Sequence, residues 1–437
     1  MSQQMETIRS ARLESSHRDA FVETAASLGA KICRDALWAN GRCTWIGPMM
    51  EPLGGRWRQV HKVFGSELYN GTSGVAVSLA MLYQHTEDRV FRKTAIAAIR
   101  NAIARAEDIE PFSRVGLYSG WFGVVLAAFN IANLLDQESL HEASLRLINE
   151  LIDDRPEPNN ADVLAGFAGG IVALLILREQ FLSDDKLVET ATRLADDLIR
   201  TAIKTEAGWS WGDLYKPESG AFGNLAGYSH GAGGIGWAFL ELYRATGEAR
   251  FREAGENAFQ YERHWFDPET GNWPDLRDPE LSGGPRTDKP TFMNAWCHGA
   301  PGIALSRLRS YEILRCDTCL GEAETAIDTT LKNLYGDKEM SQTNYSLCHG
   351  LGGNSEALIY GAEVLGRPEL FAKAEEVALR GIENYEAKRL TWPCGGPGGL
   401  ETAGLMLGLA GIAYFYLRMA YPESTPSVLI FTPRARD

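Results

Sequence analysis

An all-α fold, a double ring of seven inner and seven outer helices, follows from three observations on the sequence. A Gly-x-x-Gly pair recurs seven times, each pair leads into a strongly apolar stretch, and each apolar stretch but the last is followed by an amphipathic one. The pairs are Gly71/Gly74, Gly120/Gly123, Gly166/Gly169, Gly231/Gly234, Gly299/Gly302, Gly350/Gly353 and Gly408/Gly411, with first glycines 46 to 68 residues apart. Each unit has room for two helices and two connections. A helix apolar on nearly all faces has to be surrounded, whereas an amphipathic one can face water, so the apolar helices form the inner ring.

Taken in order, Asp19 to Trp38 carries apolar residues at helical spacing and predicts a first helix. Ala39 to Ser66 is rich in glycine, proline and tryptophan and predicts a long loop able to cover an opening. The apolar stretches are Val75–Tyr83, Val124–Leu135, Ile171–Leu177, Ile235–Tyr243, Ile303–Leu314, Asn354–Val364 and Ile412–Met419. Amphipathic helices are predicted at Asp88–Arg105, His141–Ile152, Asp185–Thr201, Glu248–Tyr261, Gly321–Leu334 and Glu369–Tyr385. That leaves one outer place vacant, which the helix at Asp19–Trp38 fills. One closed body at 19–420 results, with tails at 1–18 and 421–437. The glycines mark the turn into each inner helix, where a missing Cβ lets backbones approach, so all seven turns lie at one end of the ring.

A net charge of −14 over 437 residues, without a basic run, argues against nucleic acid or an anionic membrane as partner. Neither a signal segment nor an apolar run suited to a membrane span is evident, so the expected location is cytoplasmic. Seven cysteines, an odd number in such a chain, do not read as a disulfide framework; the thiols are expected to be reduced and available to metal.

Chemistry-capable residues recur just before the glycine pairs. Cys297 and Cys348 stand two places before the first glycine of their units, His230, His298 and His349 one place before, and Asp162 four places before. Equivalent positions of different units converge on the ring axis, so Cys297, Cys348 and His349 form a two-sulfur, one-nitrogen set. A catalytic zinc ion with an open fourth position prefers such ligands. Alone, Cys348 could be a small apolar filler. His230 reads as an acid–base group or as a turn cap, His298 as a second acid–base group or a donor behind the metal, and Asp162 as an N-cap or the orienting partner of His230. Cys316-Asp317-Thr318-Cys319 offers a rival, closed structural zinc site with Cys348 and His349. It lies about 15 residues, or ~20 Å, along the inner helix, and so needs a different fold. Cys394 is a looser candidate for the metal neighbourhood; Cys33 and Cys43 look incidental.

The strings Asp162-Val-Leu-Ala-Gly166, Ser229-His230-Gly231, Trp296-Cys297-His298-Gly299-Ala-Pro-Gly302, Cys348-His349-Gly350 and Gly404-Leu-Met-Leu-Gly408-Leu-Ala-Gly411-Ile resemble the lanthionine synthetase C-like cyclases over roughly residues 20 to 420. The likeness is greatest to the carboxy-terminal cyclase domain of class II lanthipeptide synthetases. It implies an α,α-toroid that adds peptide cysteine thiols to dehydroalanine or dehydrobutyrine, closing thioether rings. By the same resemblance Cys297, Cys348 and His349 bind Zn2+, His230 is an acid–base residue and Asp162 orients it. Two departures bear on this: position 298 is histidine where stand-alone class I cyclases often have tyrosine, and position 293 is methionine where they carry a functional arginine. No class II dehydratase domain is found in the chain, so the expected partners are a dehydrated precursor peptide and a separate dehydratase or kinase.

The two longest intervals place insertions at Thr205–Tyr228, with Trp209 and Trp211, and at Glu262–Ala295, with Trp265 and Trp273. These are expected to form the peptide surface. Two other functions stay open on the sequence: a relative that adds glutathione to dehydrated proteins, and a non-catalytic scaffold for a precursor peptide or a dehydratase.

Overall fold

The second glycine of every pair is required by a single close approach. A Cβ there would lie 1.8–2.1 Å from the carbonyl oxygen three places before the pair, as at Gly353 against Leu347 and at Gly123 against Leu117. Each turn therefore folds tightly back on the first residues of its inner helix. The computed structural model describes residues 15–53, 56–153, 160–212, 222–277, 287–336 and 344–432. Among them are fourteen α-helices.

The inner helices are α2 (Thr72–Thr86), α4 (Trp121–Leu135), α6 (Phe167–Leu177), α8 (Ala232–Thr246), α10 (Ala300–Leu314), α12 (Leu351–Leu365) and α14 (Leu409–Ala420). Each packs on the next, and α14 packs on α2, so the ring closes. All eleven residues of α6 are buried, which suits a helix without a polar face. The outer helices are α1 (Ser15–Arg34), α3 (Arg89–Ala104), α5 (Glu138–Asp153), α7 (Asp185–Thr201), α9 (Ala249–Trp265), α11 (Asp317–Tyr335) and α13 (Pro368–Gly381). The chain's first helix packs against its last, α1 on α14, and takes the vacant outer place.

Backbone hydrogen bonds at the position two before each pair run round the ring. The amides of Tyr69, Tyr118, Leu164 and Ser229 donate to the carbonyls of Tyr118, Leu164, Ser229 and Cys297, at 2.8, 3.0, 3.2 and 3.4 Å. Those of Cys348 and Met406 donate to Met406 and Tyr69, at 2.9 and 2.8 Å. Among the described residues no such bond joins Cys297 to Cys348. The Cys297 turn is also folded differently: Gly299 has φ +89°, whereas the first glycine of the other six turns is extended. An Asn294–Gly299 bridge and the bond from Ala295 N to His298 O (3.1 Å) fold this turn back on itself.

Three expectations are corrected. Residues 39–66 are largely two antiparallel hairpins, β1 (Leu37–Ala39) with β2 (Arg42–Thr44) and β3 (Ile46–Leu53) with β4 (Arg56–Val63). The first turns on Asn40-Gly41, both at positive φ, the conformation of a tight two-residue hairpin. A third short hairpin, β5 (Ile203–Thr205) with β6 (Gly208–Ser210), opens the first insertion. Cys316 and Cys319 are joined as a disulfide at the start of α11, so two of the seven thiols are not free and the rival zinc set loses its pair.

Nor do residues 421–432 trail away. From the far end of α14 the segment returns up the ring axis, burying Val428, Leu429 and Ile430. Tyr118 Oη donates to Val428 O (2.8 Å) and Trp296 Nε1 to Leu429 O (2.9 Å), which satisfies carbonyls that water cannot reach. No described helix is long and apolar enough to cross a membrane. The expected N-terminal tail lies outside the described residues up to residue 14.

Candidate active site

The sulfurs of Cys297 and Cys348 meet at the one junction that lacks a backbone bond. The two buried thiols act on each other. Cys348 is pushed well up by its neighbour and by burial. Cys297 is drawn down to about 7 by Cys348 against the effect of burial, with help from the Arg277 guanidinium. Tyr69 Oη donates to Cys348 Sγ at 2.9 Å, and burial among these sulfurs holds the phenol well above its usual range, so it stays a donor.

His349 does not complete a cluster in this arrangement. Its Nε2 donates to Gly395 O (3.1 Å), and among the described residues no three His, Cys, Asp or Glu side chains stand in metal-holding geometry. The donors nevertheless fit a thiophilic metal. A carbonyl only accepts, so Nε2 carries the proton and Nδ1 keeps its lone pair, the second-sphere pattern typical of metal-binding histidines. Burial lowers the imidazole's pKa and so favours the neutral, ligating form.

Across the site, His230 Nδ1 and Asp162 Oδ2 are 2.8 Å apart. Burial pushes the imidazole down, but the hydrogen bond and charge of Asp162 outweigh it and the net direction is up. Asp162 Oδ1 also accepts from Ala165 N (2.7 Å), within the turn before the inner helix, whose N-cap is Gly166 and not Asp162. The turn carrying His230 is braced from below: Gly227 N donates to Glu262 Oε1 (2.8 Å), and the other oxygen of this carboxylate takes Arg307 Nη2 (2.6 Å), both side chains fully buried.

His298 stacks on His230 with ring centroids 5.7 Å apart. Its side chain is fully buried, neither ring nitrogen has a hydrogen-bond partner among the described residues, Nδ1 lies 3.8 Å from Asp275 Oδ1, and burial together with the Arg277 charge lowers its pKa to about 3. It therefore enters the site as a neutral ring behind His230. Cys394 is buried next to Gly395 in the chain, its thiol pushed up to about 12 by burial.

Of the four insertion tryptophans, Trp211 and Trp273 are buried, Trp211 donating to Leu198 O (2.8 Å) and Trp273 packing on Phe266, and Trp209 and Trp265 are half-buried, while residues 213–221 and 278–286 lie outside the described residues. What the second insertion brings to the site is charge. Arg277 pairs with Asp275 and lies near the sulfurs and all three histidines.

Tyr69 and Arg277 were not singled out from the sequence. Tyr69 occupies the same place in its unit as Cys297 and Cys348, and that equivalence was a usable signal. Arg277 sits in an insertion with no counterpart in other units.

The model of the lanthionine synthetase C-like protein family matches residues 62–430. The chain belongs to the lanthionine synthetase C-like family. It is 25% identical over 309 residues to the nisin biosynthesis protein NisC of Lactococcus lactis subsp. lactis, covering 65% of this chain and 71% of that one. To the lacticin 481/lactococcin biosynthesis protein LcnDR2 of the same organism it is 23% identical over 388 residues, 84% of this chain, and the match spans only 37% of that protein. The solved nisin cyclase superposes with a TM-score of 0.58 at 20% identity, over 84% of this chain and 90% of that one, a likeness of fold. The double ring is thus the α,α-toroid of the lanthionine synthetase C-like cyclases.

Proposed function

We propose that this lanthionine synthetase C-like protein closes (methyl)lanthionine rings by adding a peptide cysteine thiol to dehydroalanine or dehydrobutyrine, in a precursor dehydrated by another protein. The observation that carries the reading is the placement of the buried Cys297 and Cys348 thiols across from the hydrogen-bonded His230–Asp162 pair, at the turn end of the ring. Cys297, Cys348 and Nδ1 of His349 would hold zinc, which when bound supplies the Lewis acidity that keeps a thiol ionised at neutral pH.

The remaining work falls to this chain's side chains. With Nδ1–H of His230 on Asp162, Nε2 is the nitrogen left for proton transfer. As the free base it takes the proton of the entering thiol. The sulfur then bonds to the β-carbon as the carbon–carbon π bond opens, and the electron pair moves onto the carbonyl as an enolate. The imidazolium returns the proton to the α-carbon, so nothing is consumed. Asp162 fixes the tautomer and favours the charged ring.

Cyclisation leaves mass unchanged but removes a free thiol. A peptide carrying cysteine and dehydroalanine, incubated with the zinc-loaded protein, should lose its reactivity to a thiol alkylating reagent faster than without protein, and an undehydrated peptide should be untouched. Thiols that persist in the dehydrated peptide at the uncatalysed rate would refute the reading.

A further inference from the structure

The enolate formed on the substrate needs a donor at its oxygen, and the site described so far does not provide one. His230 is committed to the proton, the Tyr69 hydroxyl donates to Cys348, and His298 is fully buried. The Arg277 guanidinium is a permanent cation whose charge acts on Cys297, Cys348, His230, His298 and His349, and its partner Asp275 lies 3.8 Å from Nδ1 of His298. It is held rigidly: Nε and Nη2 lie 3.0 and 2.6 Å from the two carboxylate oxygens of Asp275, and Nη2 is 3.3 Å from Met293 Sδ.

Asp275 is itself pinned, its amide donating to Thr291 O (2.7 Å) and its Oδ1 accepting from Arg277 N (3.1 Å). Asn272 ties this insertion to the cysteine turn, giving Nδ2 to Met293 O (3.0 Å) and taking Ala300 N at Oδ1 (2.9 Å). No described residue engages Nη1. A guanidinium fixed on one edge by a carboxylate that itself approaches His298, and partly exposed, is a preorganised oxyanion donor.

Building on the cyclase reading, we propose that Arg277 is a catalytic residue of the addition. Its guanidinium donates to the carbonyl oxygen of the dehydroamino acid and stabilises the enolate as sulfur bonds to the β-carbon, with Asp275 as its positioning residue. The charge that develops on the oxygen exists only after attack, so the contact acts on turnover more than on binding.

The test uses the full chain and a peptide bearing cysteine and dehydroalanine. Arg277→Gln should lower kcat by roughly 10²–10³-fold, the loss typical of removing one oxyanion donor. Zinc content and the dissociation constant for the same peptide with cysteine replaced by serine should stay within about twofold of wild type. Added guanidinium ion should restore part of the lost rate in Arg277→Ala, a response that a purely structural arginine would not give. Should Arg277→Gln not fold, Arg277→Lys carries the test, with kcat reduced and binding retained. Turnover within twofold of wild type in either variant, or a loss confined to peptide affinity, overturns the proposal. Wild-type protein that fails to cyclise the peptide refutes the underlying function instead.

Discussion

Six junctions of the toroid and the seventh are built differently. From Cys348 through Met406, Tyr69, Tyr118, Leu164 and Ser229 to Cys297, neighbouring turns are joined amide to carbonyl. Between Cys297 and Cys348 the backbone bond is missing, Gly299 takes a positive φ, and the two sulfurs meet instead. A backbone hydrogen bond contributes about 1 kcal/mol net, and the inner helices pack all the way round, so one junction can be left to side chains without opening the ring. The repeat makes the fold, and the one departure from it lies where Cys297 and Cys348 come together.

If this division is real, changes at the open junction should cost activity and changes at closed ones stability. The largest effect is expected across from the sulfurs. His230→Asn should lower turnover by roughly 10²–10⁴-fold with zinc content and melting temperature unchanged, and Asp162→Asn should do so to a smaller extent. Thiol alkylation kinetics alongside metal analysis would show it, and a His230 variant that loses zinc would place this residue on the metal side. At a closed junction, Gly123→Ala sets a Cβ 2.1 Å from Leu117 O and should destabilise the fold by roughly 1–3 kcal/mol while the protein still binds zinc. Denaturant unfolding with and without zinc separates the two. A stable Gly123→Ala protein without zinc would blur the distinction. The smallest effect is expected at Tyr69→Phe, which deletes only the hydroxyl on Cys348 Sγ and should weaken zinc binding by roughly tenfold, read by chelator competition.

Much of this was legible because the repeat is legible. Seven glycine pairs locate seven turns, and the residues just before them locate Cys297, Cys348, His230 and His298, since equivalent places in a ring face one another. Tyr69 shares that place but is not a usual metal ligand type, so only contact with Cys348 gives it a role. Asn40-Gly41 was a readable hairpin signal hidden among other glycines and prolines. The return of Val428–Ile430 up the axis depends on partners far away in the sequence, Tyr118 and Trp296, and the approach of Arg277 depends on how an insertion folds back through Asp275 and Thr291. Neither is encoded in a local period.

We propose that the junction without a backbone bond is the metal site. Metal analysis of purified wild type, Cys297→Ala, Cys348→Ala and Cys316→Ala, with circular dichroism on each, tests it most directly. We expect one zinc per chain in wild type and in Cys316→Ala, and loss of zinc with helicity retained in Cys297→Ala and Cys348→Ala. Full zinc in Cys348→Ala, or zinc lost from Cys316→Ala alone, would contradict it.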